Sequence, residues 1–186
     1  MNFNLIEWNP KLNLDDFYKE AGKKGFVNNS SQKSMIDCFK NEKEWNAWIL
    51  YKNDKAVGSV AAHSFDDVMG PETYRVLTRV CAFPEVQSRK GLLTINRMMR
   101  QHQHISDQFF LPKCIAWSQG KNIYATSNNN PDASQRLVHK FYFPTLEEMK
   151  IVKKVKNVFY RGTEQTVWQI YPDEFLCSIN RYHRWL

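Results

Sequence analysis

Proton transfer needs side chains that titrate or donate near neutral pH, and few positions in this chain qualify. His63 stands at the end of an alternating apolar stretch with Asp66 and Asp67 just beyond it. An imidazole titrates near neutrality, so His63 is a candidate general base, against the plainer role of a half-buried strand histidine with a satisfied hydrogen bond. Tyr124, Ser127 and Tyr142 surround a later strand and are candidate hydroxyl donors to a leaving group, although aromatic and hydroxyl residues also fill strands structurally. Cys81 is a nucleophile by type, but its place in mid-strand fits a buried, inert thiol. His102 and His104 lie two apart on an expected helix, where side chains diverge by roughly 200 degrees; they cannot share one ion and fit a solvated helix face. HExxH, paired CxxC, the Walker loop and Gly-x-Ser-x-Gly are absent from the sequence, which argues against metalloprotease, P-loop and α/β-hydrolase chemistry, and no metal is expected.

Anion binding is better signalled. Gln87-Ser88-Arg89-Lys90-Gly91-Leu92-Leu93 is a basic loop between a strand and a helix, where orphan backbone N–H groups and the helix dipole favour negative charge. Across the chain 26 Lys and Arg face 19 Asp and Glu, a net +7 that favours phosphates, a nucleotide cofactor or nucleic acid. Lys150, Lys153, Lys154, Lys156 and Arg161, interleaved with Phe159 and Tyr160, form the best nucleic-acid signal, although one cationic face of a hairpin is often merely solvated.

These groups need a scaffold. At 186 residues and 42% hydrophobic the chain suits one domain, without repeats or a Gly/Ser linker. Apolar runs are short and mean hydropathy is −0.58, so neither a membrane span nor a signal peptide is expected. Cys38, Cys81, Cys114 and Cys177 are far apart, as in a cytoplasmic protein with reduced thiols. Periodicity predicts a strand over 3–8, a helix over 14–24 stopped by Gly25, and a helix from Ser31 to about Glu44 with Ser30 or Ser31 as cap. A hairpin over 47–51 and 56–65 follows, then a strand over 74–83, the basic loop with its helix, and strand segments over 113–118 and 123–127. A short helix over 132–141 and a hairpin over 149–160 and 165–171 close the domain. The fold class is α/β (α+β): a mixed, mostly antiparallel sheet of about seven strands flanked by about four helices. The aromatic tail 173–186, with Phe175, Tyr182, Trp185 and Leu186, is expected to pack back on the domain or on a second copy in a homodimer.

The element order and the strand–basic loop–helix unit resemble the GNAT acyltransferase superfamily over roughly residues 1–172. That resemblance implies acetyl-CoA as co-substrate: the backbones of Cys81, Ala82 and Phe83 along the pantetheine arm, and Gln87, Ser88, Arg89, Lys90, Gly91 and Leu92 around the pyrophosphate. Aligned on Gly91, Ser88 holds the first position of the Gln/Arg-x-x-Gly-x-Gly/Ala pattern, Gln87 lies one residue early, and Leu93 replaces the last small residue. Asn130, Ala133 and Phe143 match the later Asn-x-x-Ala helix and its closing Gly-Phe pair, with Tyr142 in place of the glycine. The tyrosine that commonly protonates the departing thiolate falls at Val138, with His139 beside it, and the strand before the loop has no Asp or Glu to serve as base.

The function this implies is acyl-CoA-dependent N-acetyl transfer, by direct attack of an amine acceptor on the thioester in a ternary complex. The acceptor itself is not legible. One alternative, motivated by the +7 charge and the altered loop, is a GNAT-fold enzyme that modifies nucleic acid, like toxins acetylating aminoacyl-tRNA or Mom-type DNA-modifying enzymes. The other, motivated by Leu93 and the missing carboxylate and tyrosine, is a non-catalytic binding module.

Overall fold

A computed structural model describes residues 2–83, 102, 104–119, 121–130 and 138–183. The basic loop and most of its helix lie outside these, as do Ala133 and the chain end.

Seven strands form one sheet in the order β1-β2-β3-β4-β5-β7-β6. They are β1 (Phe3–Glu7), β2 (Trp45–Lys52), β3 (Lys55–Ser64), β4 (Thr73–Ala82), β5 (Asn122–Asn128), β6 (Val152–Tyr160) and β7 (Thr163–Ile170). Every neighbouring pair is antiparallel except β4–β5. Two tight turns carry the left-handed backbone that hairpins need: Asn53 (φ 46°) between β2 and β3, and Arg161-Gly162 (φ 50° and 79°) between β6 and β7.

One face of the sheet is covered by α1 (Asp15–Lys23) and α2 (Gln32–Phe39). Phe17 of α1 stacks on Phe83 at 5.3 Å, and Phe39 of α2 stacks on Trp45 at 4.8 Å. Ser31 caps α2 by accepting from the Ser34 amide at 3.0 Å. This helix ends at Phe39 rather than near Glu44, because Glu42 and Glu44 leave the helical path to bond His63 and Tyr74 on the sheet. Met35 and Phe39 are buried four apart, while Ile36 is 41% exposed.

The segment expected as a strand over 113–118 is instead helix α4 (Leu111–Trp117), following the one-turn α3 (Asp66–Met69) in chain order. A π-helical stretch (Ser106–Phe110) runs into it, Pro112 suits its first turn, and Leu111, Cys114 and Ile115 are buried at helical spacing. It covers the opposite face, with Trp117 edge-on to Trp48 and Tyr74. A second π-helical turn (Val138–Tyr142) leads into α5 (Phe143–Glu148), so the chain stays helical beyond Phe141, where the helix was expected to end. Phe143 stacks on Trp168 of β7 at 5.4 Å.

The tail forms α6 (Pro172–His183) and lies on the domain through fully buried Phe175, 5.4 Å from the His102 ring. His102 is therefore not on a solvated face. It is fully buried, with Nδ1 3.1 Å from Asp107 and Nε2 2.7 Å from Ser178 of α6.

Candidate functional site

Strands β4 and β5 pair only at their beginnings, Thr73–Arg75 against Asn122–Tyr124, and then part. From Val76 to Ala82 the β5-facing edge of β4 has no strand beside it among the described residues. Its other edge stays on β3, with Gly58 opposite Ala82, Ser59 opposite Cys81, and the Phe83 amide on the Val57 carbonyl at 2.9 Å. Gly58 is required there: a Cβ would stand 2.8 Å from the Cys81 carbonyl oxygen.

Within the parted stretch β4 carries two bulges. Ser59, Ala61 and His63 of β3 face Cys81, Thr78 and Arg75, so β4 holds one extra residue in each interval. Leu77 (φ 53°) and Arg79 (φ 51°) take the left-handed conformation that the extra residues impose. Asn29 Nδ2 and Ser59 Oγ both donate to the Arg79 carbonyl, at 3.3 and 3.2 Å, and hold the second bulge in place.

On the α4–α5 face of the opening, Ser127 of β5 meets His139 of the π-helical turn, Oγ to Nδ1 at 3.2 Å. Trp168 Nε1 donates to the same Oγ at 2.9 Å. Two residues singled out from sequence are thus brought together, and a third, Trp168, joins them from a strand 41 residues away. Tyr142 is not available as a donor: its hydroxyl goes to Asp107 at 2.5 Å, and burial together with that carboxylate raises it well above the ordinary tyrosine range.

On the α1–α2 face, Arg75 sits at the apex where the strands part. Its guanidinium donates to Thr126 Oγ1 at 2.6 Å and lies 4.9 Å from the Tyr160 ring centre, while its Nε is buried with no partner among the described residues. Burial lowers its pKa. Arg161, from the β6–β7 turn, reaches Glu42 Oε1 at 2.8 Å and Cys38 Sγ at 2.7 Å. Glu42 also accepts from His63 at 3.1 Å. Burial disfavours its charge, but the His63 hydrogen bond and the Arg161 charge overcome it and hold the carboxyl below the usual range.

His63 does not present itself as a base open to solvent. Its ring is wholly buried between Phe39 and Phe65. Nδ1 faces two acceptors, Glu42 and the Ser64 carbonyl at 2.6 Å, so it carries the hydrogen, and the lone pair is on Nε2, which is sealed off without a partner. Burial lowers its pKa and keeps it neutral. Tyr124 packs in a small cluster with Phe65 and Val167. Cys81 is fully buried and burial pushes its thiol up to about 12, so no thiolate forms there near neutrality. Asn130 is exposed at the end of β5, its amide turned onto Asn128 Oδ1 at 2.9 Å. Gln87, Ser88, Arg89, Lys90, Gly91, Leu92 and Ala133 lie outside the described residues. A concavity of about 540 Å³ is lined by Glu42, Glu44, Tyr74, Trp117 and Lys121, where β4 and β5 begin.

Sequence reasoning passed over Arg75, Glu42 and Trp168. Arg75 had a signal, being with Arg79 one of two cations in a strand rich in apolar residues, whereas Glu42 and Trp168 have none that is local. Among the described residues no group of three or more His, Cys, Asp or Glu could hold a metal ion, and no helix is long and apolar enough to cross a membrane.

No family model matches the chain, and no curated protein matches it by sequence. Solved structures do match by shape. A Desulfovibrio desulfuricans protein assigned to the GNAT acetyltransferases superposes with a TM-score of 0.54 at 11% identity, over 90% of this chain and 97% of its own. An aminoglycoside N-acetyltransferase, AAC(6')-Ib11, gives 0.55 at 7% identity, over 94% and 99%. An aminoglycoside 6'-acetyltransferase of type Ii gives 0.51 at 14%, over 92% and 97%. The chain carries the fold of the GNAT acetyltransferases, in a sequence far diverged from the members on which it superposes.

Proposed function

We propose that the chain is an N-acyltransferase that takes acetyl-CoA into the opening between β4 and β5 and passes its acetyl group to an amine. The observation that carries this is the parting of the two strands beside a doubly bulged β4, where among the described residues no strand lies beside β4 beyond Arg75. An extended pantetheine arm with its two amides suits that side of the strand end at Cys81, Ala82 and Phe83. Gln87 to Leu92, with Arg89 and Lys90, would hold the pyrophosphate, and Asn130 and Ala133 would border the opening from the β5 side.

The amine nitrogen attacks the thioester carbonyl carbon from the α1–α2 face. The C–N bond forms, the C–S bond breaks, and the thiolate leaves toward the α4–α5 face. His139 is the proton donor to that thiolate. His139 donates as the protonated imidazole and ends neutral: Nε2 gives up its hydrogen, while Nδ1–H stays on Ser127 Oγ, which also accepts from the Trp168 indole. On the opposite face Glu42, kept ionised by His63 and Arg161, collects the proton lost by the amine. His63 is a positioning residue for Glu42, and Tyr124 lines the same face without a proton to contribute.

Calorimetric titration with acetyl-CoA tests this. Micromolar binding that weakens in Arg89→Ala is expected, together with release of free CoA thiol when amines are added. Absence of heat, and of competition by free CoA, would overturn it.

A second role, modification of nucleic acid such as tRNA, is favoured by one observation: the edge strand β6 exposes Lys153, Lys154 and Lys156 along with Phe159, which is 79% exposed. Binding of tRNA or DNA at low salt, lost in a Lys153/Lys154/Lys156→Glu variant, is its test, and failure of both nucleic acids to bind removes it.

A further inference from the structure

We propose that the acceptor amine carries a carboxylate, and that Arg75, at the apex of the β4–β5 opening, is the group that holds it; the assignment rests on the chain being an N-acyltransferase. The electrostatics of the α1–α2 face give the reason. Three guanidinium groups, those of Arg75, Arg79 and Arg161, gather there on a stretch that includes the acceptor's approach. Glu42 already answers Arg161 at 2.8 Å. Among the described residues Arg79 is satisfied by neutral oxygens, the carbonyls of Asn28 and Ser34. Arg75 has one hydroxyl, Thr126 Oγ1, and the face of the Tyr160 ring, with no carboxylate against it among the described residues. Among the described residues no carboxylate answers Arg75 or Arg79, and Glu42 is committed to Arg161.

A buried cation without a counter-ion is costly, and a buried donor without a partner adds to that cost. Arg75 Nε is such a donor. The guanidinium fork matches a carboxylate in two parallel hydrogen bonds, a geometry that a polyamine cannot use and that its charge would oppose. Thr126 is fixed in turn, its Oγ1 donating to Gln165 Oε1 at 2.5 Å, so Thr126 accepts from Arg75 in a single orientation. An acceptor with amine and carboxylate on one small molecule, an amino acid, thus has its anion at the apex and its amine toward the parted stretch of β4. Glu42 lies on the same face for the amine's proton.

The test compares glycine, alanine, leucine, phenylalanine, tyrosine and glutamate as free acids, as carboxamides and as the decarboxylated amines, with acetyl-CoA, reading free thiol and the mass of the N-acetyl product. The expected result is a preference of about 10- to 100-fold in kcat/KM for at least one acid over its carboxamide, the worth of a charge-assisted hydrogen bond. Arg75→Gln abolishes that preference by bringing kcat/KM for the acid down to that for its carboxamide, Arg75→Lys keeps part of it, and Thr126→Val weakens it. Equal rates for acids and carboxamides, or faster turnover of amines lacking the carboxylate, overturn the proposal even if Arg75→Gln fails to fold, because the comparison is made in the wild-type protein. Turnover of no acid by a protein that binds acetyl-CoA also overturns it. If acetyl-CoA itself does not bind, acyl transfer is what fails. Titration of the acids and carboxamides alone then reads the Arg75 site, and equal affinities for the two sink it.

Discussion

Ser127→Ala isolates the proposed relay from the rest of the fold. The hydroxyl is nearly buried and bridges two rings: it accepts from Trp168 Nε1 at 2.9 Å and lies 3.2 Å from His139 Nδ1. Removing it strands the indole N–H of a residue only 4% exposed, which costs about 1–3 kcal/mol, the penalty of an unsatisfied buried donor. In a chain of this size each kcal/mol lowers Tm by about 2–4 °C. Trp168→Phe removes the donor instead and leaves nothing stranded, so its hydrogen-bond cost is about 0.5–1.5 kcal/mol. Function should separate the two variants in the same direction. Ser127→Ala frees His139 Nδ1, the Nε2 donor is no longer fixed, and kcat for thiol release falls about 10- to 100-fold, part of what a positioned general acid contributes. Trp168→Phe keeps the Ser127–His139 contact and retains most of kcat. The assays are thiol release across pH 6–9 and thermal unfolding on the same samples. If Ser127→Ala is no less stable than Trp168→Phe, and its kcat and pH profile match wild type, the relay has no role and His139 is not the donor.

Gly58→Ala drives a Cβ to 2.8 Å from the Cys81 carbonyl and 3.3 Å from Phe110 Cζ, so chemical denaturation should find about 1–3 kcal/mol of lost stability, and calorimetry a weaker acetyl-CoA complex. Stability should fall as pH drops below 7. Burial depresses His63 in the folded state, so the unfolded chain binds the extra proton first, from about its ordinary pKa of 6.5 downward. Denaturant midpoints between pH 7 and 5 should show that slope in wild type and a flatter one in His63→Gln. Glu42 acts in a lower window: its folded carboxyl is depressed, so the contribution is present above the unfolded value and is lost as pH falls through the folded one, and Glu42→Gln removes it. Iodoacetamide at pH 8 should label exposed Cys177 first, Cys38 next, and leave Cys81 and Cys114, both pushed up to about 12 by burial, untouched until denaturant is added, with mass spectrometry as the readout.

Periodicity sufficed for the strands that alternate cleanly, and for α1 with Gly25 at φ 83° behind it. It failed at 113–118 because a window opened at Lys113 misses Leu111, the residue that completes a helical stripe with Cys114 and Ile115. Within β4 it was misleading for a different reason: the bulges contain no glycine, so nothing in Tyr74 to Phe83 announces them, and only the pairing with β3 shows them. The site divides similarly. Ser127 was singled out near a strand end and His139 beside the place where the family's tyrosine falls, and the two are 12 residues apart. Arg75 and Thr126 are 51 apart, and Arg161 and Glu42 are 119 apart; such meetings follow from the order β4-β5-β7-β6 rather than from any local pattern. His102 was misplaced because its partners, Asp107 and Ser178, come from a π-helical turn and from the tail.

The two bulges of β4 also settle a question of parity. Each bulge takes up one extra residue, so the odd–even pattern of the sequence flips while the ladder keeps its faces, and the second bulge restores the pattern. Arg75, Thr78 and Cys81 therefore look out on one side at a spacing of three, yet Phe83 still reaches Phe17 and Phe26 in the core as though the strand were regular. Deleting Leu77 alone would iron out the first bulge and leave Thr78, Cys81 and Phe83 on their present faces, and deleting both Leu77 and Arg79 would return an ordinary ladder with the core intact and the opening stiffened. The two bulges are thus separable, and a lineage can lose either one while the core side chains stay where they are.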